Sequence, residues 1–221
     1  MYNKNILAVQ NLLRCLPLEA LKEPEVVANL VRAFGIVQWG APAFGDDEIF
    51  KNEHNHMAGI YQTPDQIGKA LVYLSDFEIN SYCEIGVFQG GNFLFVSEYL
   101  RRFNPDIKCL GIDPTPYLNQ EIIEAMDGKF MTFLSTTSDQ IAKKQFDLVF
   151  IDGEHTGDWA KRDYENIGRF AKICMIHDVQ EFSCPDVVAF WKTIKPKKAV
   201  TFLDYTSVNP SQGIGVICKS I

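Results

Sequence analysis

The stretch SYCEIGVFQGGN, residues 81–92, decides how the rest of the chain is interpreted. It begins as a short apolar run typical of a strand, breaks at Gly86, Gly90 and Gly91, and continues into a helical pattern over residues 93–103. Glycine lacks a Cβ and tolerates positive φ, so such a turn lets the backbone approach a ligand closely. The N-terminus of the following helix offers N–H groups to an anion. This order predicts a nucleotide-binding corner, and a tight turn without a ligand is the alternative.

Downstream of this corner, apolar runs alternate with helical segments. The runs that predict strands are residues 82–87, 108–112, 130–134, 148–151, 173–176, 199–203 and 214–218. The predicted helices are residues 92–103, 119–126, 158–170 and 185–194. The alternation predicts an α/β fold with a mainly parallel sheet that is covered on both faces. In such sheets, ligands bind beyond the carboxyl ends of the strands.

Residues 1–75 predict an N-terminal helical extension, which leaves residues 76–221 as the main domain. The segment 24–34 carries one apolar face, with Pro24 suited to the first turn and Gly35 as a stop signal. Thr63 and Pro64 start the next helix, and Gln66 completes the pattern of a capping box with Thr63.

Residues 38–61 predict a long loop with little periodicity. Loops of this length in compact domains often serve as lids or substrate-binding segments. His54 and His56 lie in it, near Trp39 and Phe44, and the favoured interpretation is that both histidines are solvated. A lid over the substrate is the functional alternative.

Composition narrows the class of partner. The chain has 221 residues, a net charge of −7 and 47% apolar residues, which suit one sizeable globular domain with an elaboration. The negative charge argues against a nucleic-acid backbone as a partner. We find no apolar run long enough to span a bilayer and no signal-peptide pattern, so we expect a cytoplasmic protein that binds no membrane.

The six cysteines contain no C-x-x-C pair. Four of them lie in predicted strands, where a thiol serves as a small buried hydrophobe in a reducing compartment. The strand cysteines are Cys83, Cys109, Cys174 and Cys218. We therefore expect thiols rather than disulfides, and the spacing gives a zinc cluster little support.

Polar residues gather at the carboxyl ends of five predicted strands. They are Glu84, Asp113, Ser138, Asp139, Asp152, His155, His177 and Asp178. A single such residue is most simply explained as loop chemistry in contact with solvent. Here polar residues follow five consecutive strands. This pattern instead favours a nucleoside site with a reactive pocket beside it. Trp159 and Tyr164, in the following helical segment, are expected to be packing residues rather than part of a substrate cage.

Four segments together resemble the class I S-adenosylmethionine-dependent methyltransferases: residues 84–91, 111–113, 146–155 and 176–179. They match the signatures E-I-G-x-x-x-G-G, F-I-D-G-x-H and H-D-V of the small-molecule O-methyltransferase branch. The resemblance covers roughly residues 58–220. It implies a Rossmann-like, doubly wound, seven-stranded sheet of order 3-2-1-4-5-7-6 with the last strand antiparallel.

The resemblance also implies a cofactor site. Glu84, Gly86 and Gly90 would shape the part that binds the methionine end of S-adenosylmethionine. Asp113 would hold the ribose, and Ser138 or Asp139 would contact the adenine.

Relatives of the catechol O-methyltransferase type bind Mg²⁺ through carboxylates that follow the fourth and fifth strands. Here the corresponding metal-binding residues would be Asp152, His177 and Asp178. Neighbouring strands lie about 4.8 Å apart, so Asp152 and Asp178 could share one ion. His155 stands where such relatives carry a lysine base, which makes His155 and Asp152 the catalytic candidates. His177 is a departure from an acidic residue, and imidazole suits transition metals better than Mg²⁺.

The favoured function is therefore methylation of an oxygen of a small-molecule acceptor. A nicotinamide-dependent oxidoreductase is the first alternative, but its G-x-G-x-x-G fingerprint is missing because three residues without a glycine separate Gly86 from Gly90. The second alternative is a module that binds S-adenosylmethionine but does not catalyse a reaction. The sequence leaves open which acceptor is methylated, whether a metal is required, and whether the protein forms a homo-oligomer.

Overall fold

The computed structural model describes residues 3–36, 59–115, 117–180, 184–195, 199–203 and 212–219. Its helices are α1 (Asn3–Cys15), α2 (Leu18–Leu21), α3 (Pro24–Phe34), α4 (Pro64–Leu74), α5 (Gly91–Phe103), α6 (Gln120–Ala125), α7 (Trp159–Asn166) and α8 (Pro185–Ile194). Its strands are β1 (Ser81–Ile85), β2 (Lys108–Asp113), β3 (Met131–Ser135), β4 (Leu148–Ile151), β5 (Ile173–His177), β6 (Val200–Phe202) and β7 (Ile214–Cys218). Of the helices in these ranges, none is both long and apolar enough to cross a membrane.

The chain divides into two compact units that alternate along the sequence. The helical unit contains Met1–Glu78, Gln89–Pro105 and Tyr117–Asp127, and the sheet unit contains Ile79–Phe88, Asp106–Pro116 and Gly128–Ile221. Helices α5 and α6 therefore group with the N-terminal helices. The division of the chain into residues 1–75 and 76–221 stays a prediction.

Apolar periodicity explains the helices of the helical unit. In α3, every apolar residue of the predicted face is buried, Pro24 occupies the first turn, and Gly35 ends the helix with φ +118°. Helix α4 begins at Pro64 as expected, with a fully buried apolar face. The predicted capping box is wrong, because the Thr63 side chain makes no capping hydrogen bond to α4. The helix start therefore depends on Pro64 and on burial. The histidines and aromatic residues of the 38–61 loop that precede residue 59 lie outside the described residues.

One buried charge links three helices of this unit. Glu98 of α5 is 1% exposed and accepts hydrogen bonds from Arg14 and Gln10 of α1. The Gln10 amide also donates to the Ala125 carbonyl at the end of α6, at 3.1 Å. Because a buried carboxylate without partners is costly, this network fixes how α1, α5 and α6 pack.

The sheet has the order β3-β2-β1-β4-β5-β7-β6, which confirms the expected fold class. Strands β1 to β5 pair in parallel, and β7 runs antiparallel to both β5 and β6. A dinucleotide-binding oxidoreductase would have the order 3-2-1-4-5-6, so the topology disfavours that alternative.

Helices α7 and α8 cover one face of the sheet, where the alternating positions of the strands supply an apolar core. This core contains Cys83, Ile85, Leu110, Ile112, Val149, Ile151, Cys174, Ile176, Ile167, Val187, Phe190 and Trp191. The predicted helix 158–170 is interrupted, because α7 ends at Asn166 and a short 3₁₀ turn covers Gly168–Phe170. A Cβ at Gly168 would lie 2.9 Å from Cys174 Sγ, so the glycine lets the chain pass close to β5.

All six cysteines lie in the described residues, and none forms a disulfide. Cys83, Cys109 and Cys174 are buried as expected, and burial raises the pKa of the Cys174 thiol to about 12. Cys218 is only half-buried, contrary to expectation. The edge strand β6 pairs with Ile214, Gly215 and Val216 of β7 and ends before it reaches Cys218.

Candidate active site

Strand register brings the predicted polar residues to one edge of the sheet. Ile85 pairs with Ile112 and Ile151, and Ile151 pairs with Ile176. The next residues of these strands and turns are Gly86, Asp113, Asp152 and His177. They therefore follow one another along the carboxyl edge of β2, β1, β4 and β5, where parallel sheets bind ligands.

Gly86 makes the first tight turn at this edge. Its φ is +87°, and a Cβ on it would lie 2.1 Å from the Asp152 carbonyl oxygen and 2.4 Å from Gly153 Cα. The close neighbour of Gly86 is thus the main chain after β4. Asp152 N–H donates to the Ile85 carbonyl at 2.9 Å, which ties the two turns together. Any larger residue at position 86 would displace the segment that carries Asp152.

Gly90 belongs to the helical unit, where it is the N-cap residue of α5 with φ +92°. A Cβ on Gly90 would lie 2.6 Å from Leu118 Cδ2 and 2.7 Å from Ile122 Cγ2. The glycine therefore permits close packing against α6. Its role in cofactor binding stays a prediction.

Asp113, at the end of β2, holds the turn after β1. One carboxylate oxygen accepts from Phe88 N–H and the other from Thr115 N–H, both at 2.9 Å. Phe88 has a φ of +46°, a left-handed conformation that is uncommon outside glycine. The Asp113 carboxylate thus stabilises this strained turn, and each oxygen keeps a second lone pair for another donor.

Glu84 is a buried carboxylate in the interior strand β1, with a residue exposure of 1%. Tyr82, two residues earlier on the same face of β1, donates its hydroxyl hydrogen to Glu84 Oε2. Burial, together with the neighbouring Glu84 charge, raises the pKa of Tyr82 well above its ordinary value. The sequence interpretation missed Tyr82 as the hydrogen-bond partner of Glu84. Its i, i+2 spacing from Glu84 in a strand was the available signal.

Ser138 and Asp139 already have protein partners. Ser138 is 2% exposed, accepts a hydrogen bond from Asn166 Nδ2 at 2.9 Å, and is hydrogen-bonded to Asp163. The Asp139 carboxylate forms a surface ion pair with Arg162 at 2.9 Å. Sequence reasoning missed Asp163 and Asn166 because they lie on α7, far along the chain. Contact of Ser138 or Asp139 with adenine stays a prediction.

Asp163 supports a prediction on stability. It is 6% exposed, and burial raises its pKa to about 6, with the Ser138 hydrogen bond opposing the shift. The folded protein therefore holds this proton more tightly than the unfolded chain. The stabilisation is fully present below the unfolded pKa of about 3.9 and is lost as the pH rises through about 6.

We expect Asp163→Asn to raise the free energy of unfolding at pH 7.5 by up to about 3 kcal/mol, and by clearly less at pH 5. Asparagine keeps an oxygen for the Ser138 hydroxyl and carries no charge to bury. Urea denaturation of both proteins at the two pH values measures the difference. An equal difference at both pH values would show that the carboxylate charge is not responsible.

Asp152, His155, His177 and Asp178 form a compact group, which we name the strand-end quartet. Their ligand atoms all lie within 4.8 Å of one another. His177 Nδ1 lies 2.9 Å from Asp152 Oδ1 and 3.1 Å from Asp178 Oδ2. His155 Nε2 lies 3.1 Å from Asp178 Oδ2 and 3.5 Å from Asp152 Oδ1. The structure thus brings together every residue that the sequence suggested for metal binding and catalysis.

Backbone conformation and burial set the roles within the quartet. Asp178 has a φ of +60°, so the chain turns sharply after β5, and aspartate is among the few residues that tolerate this conformation. The side chains of His177, Asp178 and Asp152 are 5%, 8% and 12% exposed, whereas that of His155 is 43% exposed. Three members therefore face the interior, and His155 faces solvent.

The two carboxylates stabilise the charged forms of both imidazoles, and the imidazoles stabilise the charged form of Asp152. Burial opposes the charge of His177, but Asp152 and Asp178 raise its pKa well above the ordinary value. The hydrogen bond to Asp152 raises the pKa of His155, with burial opposing it. Burial would raise the pKa of Asp152, yet the two histidines lower it below its ordinary value. The imidazoles thus supply positive charge next to the two carboxylates.

The donor set of the quartet fits a divalent cation. It offers carboxylate oxygens and imidazole nitrogens converging on one point, and two acidic groups that would balance the charge of the ion. His177 Nε2 is buried, and among the described residues it has no hydrogen-bond partner. Only the Nδ1 side of this ring is thus engaged with the carboxylates.

The two aromatic residues of α7 differ in their surroundings. Tyr164 packs against the α7–α8 core and contacts the Phe190 ring edge-on at 5.6 Å, as expected. Trp159 is 40% exposed, so its expected packing role is wrong. Its ring lies beneath the Arg162 guanidinium at 4.4 Å, at the exposed N-terminus of the helix.

Residues 83–179 match a family model described as a methyltransferase domain. The matched segment runs from β1 to the turn after β5, so it contains the whole quartet. A search of curated protein sequences gave no match to the chain.

Solved structures of methyltransferases share the fold. The O-methyltransferase from Bacillus cereus in complex with SAH has a TM-score of 0.55 at 14% identity, covering 99% of this chain and 100% of that one. O-methyltransferase TomG from Streptomyces achromogenes, in complex with SAM, has a TM-score of 0.54 at 14% identity, covering 72% and 82%. SAH-bound PaMTH1 from Podospora anserina has a TM-score of 0.53 at 13% identity, covering 93% and 89%. The chain therefore shares the fold of these methyltransferases, and its residues 83–179 resemble a methyltransferase domain.

Proposed function

We propose that this protein transfers a methyl group from S-adenosylmethionine to an oxygen of a small-molecule acceptor, with a divalent metal ion at the strand-end quartet. The observation that carries the proposal is the quartet itself, at the carboxyl ends of β4 and β5 within the segment that matches a methyltransferase domain. The related structures that contain SAM or SAH support the choice of cofactor.

Within the sheet unit, we assign cofactor binding to Glu84, Gly86 and Asp113. After accepting two backbone amides, the Asp113 oxygens still have lone pairs for the two ribose hydroxyls. The Tyr82 hydroxyl fixes the carboxylate of Glu84, which would bind the cationic end of the cofactor. The Gly86 turn keeps the main chain close to the segment that follows β4.

Asp113→Ala should weaken binding of S-adenosylhomocysteine by about 10-fold to 150-fold, because charged hydrogen bonds contribute about 1.5–3 kcal/mol. Calorimetry measures the affinity. Glu165→Gln, which changes an exposed carboxylate of α7, is the control and should bind normally. Because Asp113 also holds the Phe88 turn, Asp113→Asn is a second variant that keeps one acceptor oxygen. Normal affinity in both Asp113 variants would contradict the assignment.

Asp152, His177 and Asp178 would hold the metal. When bound, a divalent ion lowers the pKa of an acceptor hydroxyl and orients it. The three side chains are mostly buried, so they are held in place before the acceptor arrives. The turns that carry them are fixed by Gly86 and by the left-handed Asp178.

His155 would remove the proton from the acceptor hydroxyl. Its Nε2 faces the carboxylates of Asp178 and Asp152, which favour the tautomer with the proton on Nε2. Nδ1 is then unprotonated and can accept a proton. Because the side chain is 43% exposed, an acceptor can reach it from solvent.

A methyl-transfer assay tests the function directly. Catechols and sugars are incubated with the protein and S-adenosylmethionine, with and without excess chelator. Methylated product that disappears in chelator supports the proposal in full. Activity that persists in chelator would exclude the metal role and leave His155 as the catalytic candidate. Tight binding of S-adenosylhomocysteine without turnover across the panel would favour the non-catalytic module.

A further inference from the structure

We infer that the ion held by Asp152, His177 and Asp178 is a first-row transition-metal ion, and that His177 gives the site this preference over Mg²⁺. The inference rests on the proposed function in taking these three side chains as the ligands. It goes beyond that function by naming the class of ion and the residue that selects it.

The chemistry of the donors is the first argument. Mg²⁺ prefers oxygen ligands and retains much of its water. Imidazole nitrogen binds Mn²⁺, Fe²⁺, Co²⁺ and Zn²⁺ better, and affinities along this series rise in the Irving–Williams order. Among the buried His177 and Asp178 and the half-buried Asp152, one nitrogen and two carboxylates converge. Such a mixed set offers Mg²⁺ one oxygen ligand fewer than a site built from carboxylates alone.

The second argument is that the imidazole of His177 is held at the place where the ion would bind. The residue is 5% exposed and stands at the end of β5, in register with Ile214 of β7. Its ring contacts the edge of Phe150 with the centroids 6.2 Å apart. Because neighbours surround the ring, Nδ1 stays directed at the two carboxylates. An ion that entered between them would meet this nitrogen.

The distances are the third argument. An octahedral ion with bonds of about 2.1 Å separates adjacent ligand atoms by about 3.0 Å. His177 Nδ1 lies 2.9 Å from Asp152 Oδ1 and 3.1 Å from Asp178 Oδ2. These separations match adjacent positions around one ion, so binding requires little movement. His155, the exposed member, lies on the solvent side and remains available to the acceptor.

The test compares metals on the full chain after removal of metal by a chelator. Calorimetry measures the affinities for Mn²⁺, Co²⁺ and Mg²⁺, and the visible absorption of the Co²⁺ complex reports nitrogen coordination. The matched variants are His177→Asp, which turns the three ligands into an all-carboxylate set, and Glu165→Gln, which changes an exposed carboxylate of α7.

We expect the wild-type protein to bind one Mn²⁺ or Co²⁺ at least about 10-fold more tightly than Mg²⁺, and Glu165→Gln to behave in the same way. His177→Asp should lower the ratio of Co²⁺ to Mg²⁺ affinity and change the visible spectrum of the Co²⁺ complex, because an oxygen replaces the imidazole nitrogen. Equal affinities for Mg²⁺ and the transition ions, or no binding of either, would overturn the inference. A His177→Asp protein that prefers transition-metal ions to Mg²⁺ as strongly as the wild type would also overturn the inference. If that variant fails to fold, His177→Asn, which offers an amide oxygen in place of the imidazole nitrogen, takes its place in the same comparison.

Calorimetry with S-adenosylhomocysteine on the same samples separates this inference from the proposed function. Normal binding of the nucleoside without a transition-metal preference would reject the inference and leave methyl transfer intact. A clear preference for transition-metal ions without binding of S-adenosylhomocysteine would support the inference and contradict the proposed methyl transfer.

Discussion

Asp152→Asn is expected to reduce metal-dependent methyl transfer by about 100-fold or more. A Lewis acid contributes several kcal/mol to such a reaction, and each 1.4 kcal/mol or so is worth a factor of about ten in rate. Like Asp178, Asp152 contacts both histidines, with Nδ1 of His177 at 2.9 Å and Nε2 of His155 at 3.5 Å. Asparagine preserves the shape but removes the charge that the ion and both imidazoles require.

The same substitution should leave S-adenosylhomocysteine affinity nearly unchanged. The Asp152 backbone N–H bonds the Ile85 carbonyl, and that bond does not depend on the side chain. Steady-state rates and calorimetry on one preparation give both quantities, with Glu165→Gln as the matched carboxylate control. If Asp152→Asn keeps its rate, and the wild-type enzyme is active in chelator, the quartet does not bind a catalytic metal.

His155→Ala should lower the maximal rate by about 10²-fold to 10⁴-fold, the usual contribution of a general base. Affinities for the metal and for S-adenosylhomocysteine should change little, because His155 is the exposed member of the quartet. The acidic limb of the pH–rate profile, which a histidine base produces, should disappear. Added imidazole should restore part of the rate, since the truncated side chain leaves a solvent-facing space.

The controls for His155 separate proton transfer from metal binding. His177→Asp changes the buried imidazole and should alter metal affinity, whereas His155→Ala should alter the rate at saturating metal. A His155→Ala protein that regains its full rate in excess metal would show that His155 is a ligand rather than the base. Absence of rescue by imidazole alone would not distinguish these roles, so the metal titration is the deciding measurement.

Local patterns in the sequence predicted most of the fold correctly. The predicted and observed boundaries are the same for β4, α8 and α3, because periodicity and proline signals act over a few neighbouring residues. The errors arose where neighbours distant in sequence decide the outcome. The 3₁₀ turn at Gly168 reflects close approach to Cys174, and the exposure of Cys218 reflects the short edge strand β6.

Sequence alone determined which residues stand at the strand ends, since polarity along each segment marks where a strand leaves the core. Tertiary structure decided which of these residues meet. The contact between His155 and Asp178 depends on the path of residues 153–157 and on the left-handed backbone at Asp178. Gly86 proved to face the main chain of Asp152, and Ser138 was already paired with α7. Periodicity describes one segment at a time, whereas distances between segments are set by strand register, turn conformation and packing, which no single segment encodes.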